Sequence, residues 1–93
     1  MNNIQEIINA ANTTIVDVRT REEFAGGHVA GSKNIPLNEV QARIDELKGI
    51  DGNIVLCCAS GGRSNMCMQL MHQLGFNNVY DGGGWMNVNG LIN

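Results

Sequence analysis

The chain has 93 residues, enough for one domain and too few for two, so residues 1–93 are read as a single unit. A net charge of −3 lacks the basic excess that nucleic acid or an anionic membrane surface calls for. Apolar residues at 43% against charged residues at 16% exclude a disordered chain, and no apolar stretch is long enough to span a bilayer.

In chain order, Ile4, Ile7, Ile8 and Ala11 are spaced as one face of a helix over 4–11. Thr14–Val18 is a short β-branched run, which predicts a buried strand. Thr20-Arg21-Glu22-Glu23 is a capping-box pattern that starts a short helix ending at Gly26-Gly27. His28–Pro36 reads as loop, with a brief strand near Asn34-Ile35. Asn38 caps a helix predicted over Glu39–Lys48, with Gly49 after its end. Asn53–Cys57 reads as a central strand. A glycine-rich loop follows, and then a helix over Ser64–Leu74 that turns Met66 or Cys67, Leu70, Met71 and Leu74 inward and stops at Gly75. Asn78–Tyr80 is a last strand, Gly82-Gly83-Gly84 a turn, and the tail is short and polar. Strands separated by helices imply parallel pairing through right-handed crossovers. The expected fold class is therefore α/β, a short parallel sheet of four or five strands with helices on both faces.

Three cysteines, Cys57, Cys58 and Cys67, make no disulfide framework, since adjacent cysteines rarely reach the required geometry. No CxxC occurs, and His28 and His72 add no metal-like spacing, so no metal or other cofactor is expected. No positively charged start leads into an apolar run, so a signal peptide is not expected and a reduced, cytoplasmic chain is.

The chemistry points to Cys58-Ala59-Ser60-Gly61-Gly62-Arg63-Ser64. Here a cysteine follows a buried strand and precedes a helix, with small residues between. Glycines allow a tight ring whose N–H groups converge on one point. The helix start adds its positive end, and Arg63 is expected to close the ring with a fixed charge. All three favour a thiolate, which makes Cys58 the expected nucleophile.

Three ordered segments resemble the rhodanese-like domains. Cys58, Gly61, Arg63 and Ser64 match that family's Cys-x-x-Gly-x-Arg-Ser/Thr loop. Val16-Asp17-Val18-Arg19 with Glu23-Phe24 resembles its Asp-Val-Arg…Glu-Phe segment. Gly27-His28-Val29-Ala30-Gly31-Ser32 through Asn34-Ile35-Pro36-Leu37 resembles its Gly-His-Ile-x-Gly-Ala-x-Asn-Ile-Pro segment. The resemblance implies a sulfurtransferase that moves sulfane sulfur from thiosulfate or a persulfide to cyanide or a thiol through a Cys58 persulfide. It also implies that the amides of Ala59, Ser60, Gly61, Gly62, Arg63 and Ser64 hold that persulfide. A sulfur-relay protein or a thioredoxin-like reductant is the kind of partner it suggests, and a monomer is expected. Two departures stand out. Ala59 occupies a place that is basic in many thiosulfate-using members. Trp85 follows Gly84 directly, with Val88 where the family's tryptophan is expected, which implies an atypical cap and a last helix truncated or absent.

Two other functions stay open. Counted from Cys57, the loop is Cys-x5-Arg63-Ser64, the signature length of cysteine phosphatases, and a non-catalytic binding or regulatory module would also carry this fold. Asp17 and Arg19 are read as a structural ion pair near the active face, and His28 as part of a structural turn. His72 is expected on a solvated helix face and Cys67 in the packing. Met66, Met68 and Met71 are divided between core and helix surface, and the acidic residues are read as solvated surface.

Overall fold

The computed structural model describes residues 3–93. It is an α/β domain whose four parallel strands lie in the order β2-β1-β3-β4, with β1 at Thr13–Asp17, β2 at Lys33–Asn34, β3 at Asn53–Cys58 and β4 at Val79–Gly84. The helices are α1 (Ile4–Ile8), α2 (Arg21–Ala25), α3 (Ile44–Lys48), α4 (Gly62–Gln73) and α5 (Trp85–Leu91). The chain runs outward from β1 to β2, then returns to place β3 on the other side of β1. Such a reversal leaves a crevice at the carboxyl ends of the two strands, where α/β domains bind ligands.

β3 explains the two-faced core. Its alternation sends Ile54, Leu56 and Cys58 to one face, with Leu47 of α3 and Cys67 and Met71 of α4. Val55 and Cys57 go to the other, with Ile8 of α1 and Val88 of α5. Because side chains alternate with period two, the adjacent cysteines point to opposite sides of the sheet.

Several elements depart from expectation. α1 ends at Ile8, not Ala11, with Asn9 as its cap: the Asn9 side-chain amide donates both to the Gln5 carbonyl and to the Leu91 carbonyl, each at 2.9 Å. The capping box at Thr20 and Glu23 is present as read. Asn38 caps nothing. Leu37 N–H is held by the Val18 carbonyl at 3.0 Å, and the chain makes a 3-10 turn over Leu37–Glu39 that buries Val40. The helix begins only at Ile44. α4 starts at Gly62, two residues early, because Gly61 takes the left-handed conformation at φ 105° and turns the chain directly into it. Within α4, Cys67 and Met71 are buried and Met66 is exposed, as is Leu74 just past its end.

The carboxyl-terminal glycines are strand, not turn. β4 pairs Leu56 with Asp81 but Cys57 with Gly83, so Gly82 is the extra residue of a bulge. A Cβ on Gly82 would lie 2.7 Å from Val88 Cγ2 and 2.9 Å from Val55 Cγ1, which is why a glycine bends the edge there. The last helix is present as α5, seated by fully buried Val88.

Candidate active site

β3 delivers Cys58 to the carboxyl edge of the sheet, and Gly61 turns the chain back so that the loop amides face its sulfur. Cys58 Sγ accepts the Gly61 N–H at 2.9 Å and lies 3.4 Å from Ser64 Oγ, whose proton goes to the Gly61 carbonyl at 3.1 Å. Turning that proton toward the sulfur converts Ser64 into a donor when the thiol ionises. Gly62, Arg63 and Ser64 form the first turn of twelve-residue α4, whose free N–H groups and dipole favour an anion. Ala59 and Ser60 are exposed at the rim.

The sulfur sits on the floor of this cradle, with Cys58 only 1% exposed. Burial pushes its pKa up. The Ser64 hydroxyl and the amides of Ser64, Gly61 and Ser60 together outweigh that and leave the thiol below its ordinary value. The neighbouring thiols go the other way. Burial holds Cys57 up at about 12 and Cys67 at about 11. Cys57 thus packs on the opposite face of the sheet with its thiol held up, which favours Cys58 over Cys57 as the nucleophile of this loop.

Arg63 departs from its expected role. Its guanidinium is gripped by Glu23, Nη1 to Oε1 at 2.6 Å and Nη2 to Oε2 at 2.9 Å. Glu23 is thus not an ordinary solvated carboxylate. The hydrogen bond from Arg63 is the main cause that holds it down to about 2. Forty residues separate the pair, so spacing could not reveal it; the cue was a carboxylate at the start of a helix leaving the same sheet edge.

Asp17 and Arg19 form the expected structural pair, bidentate and buried, with Arg19 Nη2 2.7 Å from Asp17 Oδ2. Arg19 also donates to the carbonyls of Glu23 at 3.3 Å and Gly27 at 2.7 Å, and lies 4.9 Å from the Trp85 ring centroid. Trp85 therefore does cap this network, from the first residue of α5. His28 has its Nδ1 2.7 Å from the Phe24 carbonyl and its ring stacked on Phe24. His72 is exposed but tied by Nε2 to the Val79 carbonyl at 3.2 Å. Among the described residues there is no cluster that could hold a metal, and no helix long and apolar enough to cross a membrane.

The fold and loop define a parallel α/β domain built around a cradled cysteine. The chain belongs to the rhodanese-like domain family, whose model matches residues 1–89. It is 39% identical over 75 residues to the putative sulfur carrier protein YrkF of Bacillus subtilis, covering 81% of this chain and 40% of that protein. It is 30% identical over 74 residues to the thiosulfate sulfurtransferase PspE of Escherichia coli, covering 78% and 71%. The solved structure of a rhodanese with anions from E. coli superposes with a TM-score of 0.73 at 29% identity, covering 81% of this chain and 89% of that one. Other curated relatives are longer, and the chain spans 52% and 21% of two of them.

Proposed function

We propose that the protein is a sulfurtransferase in which Cys58 accepts a sulfane sulfur and passes it on as a persulfide. The observation that carries this reading is the Cys58 sulfur itself, cradled by loop amides at the start of α4 and lowered in pKa despite near-complete burial. The names of the relatives support the same class of chemistry.

The step balances without an added oxidant. The Cys58 thiolate attacks the outer sulfur of thiosulfate, the bond between the two donor sulfurs breaks, and sulfite leaves with that bond's electron pair. A persulfide anion remains on Cys58, and the total charge is unchanged. The amides of Ala59, Ser60, Gly61, Gly62, Arg63 and Ser64 supply donors aimed at the growing negative charge on the outer sulfur. A thiol or cyanide then attacks that sulfur and regenerates the thiolate. Asp17, Arg19 and His28 touch no reacting atom and hold the loop's surroundings in place. An open cleft lies beside Arg63, walled by Val18, Pro36 and Leu37. A sulfur-relay protein or a thioredoxin-like reductant is a fitting larger partner.

Intact-mass measurement after incubation with thiosulfate or a polysulfide tests this. One sulfur should be gained, lost on adding cyanide, and absent in Cys58→Ser. A gain that survives in Cys58→Ser overturns the assignment. No gain from any donor, together with ordinary thiol reactivity, favours a non-catalytic module.

A further inference from the structure

The reading of Cys58 as sulfur acceptor leaves one built feature unused, the carboxylate locked onto the loop's arginine. Within Ala59–Ser64 the sole charged side chain is Arg63. Both of its terminal nitrogens donate to Glu23. Glu23 is itself fixed, because Oε1 also accepts the Thr20 N–H at 3.0 Å and faces the Thr20 hydroxyl at 3.2 Å. The backbone behind it is tied down where Arg19 donates to the Glu23 carbonyl. The pair is only partly exposed, at 36% for each side chain, so it is incompletely screened by water.

We infer that Glu23 is a specificity-determining residue: by cancelling the charge of Arg63 at the mouth of the Cys58 cradle, it biases the site toward sulfur donors of low charge and against dianions such as thiosulfate. The inference rests on the proposed function above. With Cys58 ionised, the thiolate, Arg63 and Glu23 together carry one net negative charge. A dianionic donor brings two more into that field, and a monoanionic donor one. The chemistry is otherwise the same. For a thiosulfonate, the Cys58 thiolate takes the outer sulfur, the sulfur–sulfur bond breaks, and a sulfinate leaves with the electron pair.

Thiosulfate and methanethiosulfonate make a matched pair of probes, since a methyl group replaces one charged oxygen. Glu23→Gln is the chosen variant because glutamine still serves a capping box, so α2 keeps its start. The expected result is a rise of about fivefold to tenfold in the thiosulfate-to-methanethiosulfonate ratio of kcat/KM, the worth of one charge at the edge of a half-exposed site. Glu23→Asp keeps the charge and should stay within twofold of the wild-type ratio. In the wild type, added salt should raise the ratio, because screening relieves the dianion more.

An unchanged ratio in Glu23→Gln, an equal rise in Glu23→Asp, or a wild-type ratio that falls with salt would each overturn the inference. All three outcomes leave sulfur transfer through Cys58 standing. Failure of both donors to place a sulfur on wild-type Cys58 would instead bring down the underlying reading, and this one with it.

Discussion

Removing the Ser64 hydroxyl is the most direct test of the cradle. Among the groups that lower the Cys58 pKa, the Ser64 side chain comes first, ahead of the backbone amides. A hydrogen bond to a charged group is worth about 1.5–3 kcal/mol net. The lower end applies here, because the contact is 3.4 Å and the amides remain after the change. Ser64→Ala costs little elsewhere, since the Gly61 carbonyl keeps the Asn65 N–H at 3.1 Å. A loss near 1.4 kcal/mol is about a tenfold drop in thiolate at neutral pH. The assay is the rate of Cys58 alkylation by iodoacetamide, followed by mass spectrometry across a pH series. The reactive limb should move to higher pH, and the neutral-pH rate should fall about tenfold. A neutral-pH rate within twofold of wild type would refute the claim that the Ser64 hydroxyl is a leading donor to the Cys58 anion.

Native alkylation should mark Cys58 first, because its thiol is lowered while burial holds Cys57 and Cys67 up at about 12 and 11; peptide mapping that finds Cys57 labelled as fast would contradict this. Gly82→Ala should destabilise by about 2–3 kcal/mol in urea unfolding, an overpacking cost at Val88 and Val55. Gly90→Ala, with nothing within 4 Å and an exposed place in α5, should stabilise by about 0.5–1 kcal/mol in the same experiment. Stability should also track the Glu23 pair. The folded value of about 2 lies below the ordinary 4.5, so the unfolded chain takes up the proton first. The contribution is then complete above pH 4.5 and lost as pH falls toward 2. Thermal unfolding of wild type and Glu23→Gln should converge over that window.

The parts of this molecule that were legible from sequence are those fixed by neighbours in the chain. β1 and β3 were readable within one residue because a β-branched or apolar run is its own signal. The Thr20–Glu23 capping box is a four-residue event, and the Cys58 loop carries its strand, glycines and helix start within ten residues. What failed depended on distant packing. The helix expected from Glu39 gave way to a 3-10 turn because the Leu37 amide is claimed by Val18, nineteen residues back. The glycines at 82–84 read as a turn by composition, yet β3 and Val88 require them in an edge strand with a bulge. α5 has weak intrinsic helix propensity and is held by buried Val88 and by the tie from Asn9 to Leu91.

The same division runs through the site. The amides that stabilise the sulfur are local, so the motif alone exposed them. The charge balance is not local, because Glu23 reaches Arg63 only after β1 and β3 have paired and brought α2 beside α4. Arg63, read alone, promised a cation for the sulfur; in the fold it is spent on a carboxylate. The closest stabilisation of the anion then comes from neutral dipoles, the Ser64 hydroxyl and the loop amides, which reach a sulfur in contact with them and little further. A donor approaching from outside therefore meets a mouth with no net positive charge, while the sulfur on the floor is still held as an anion.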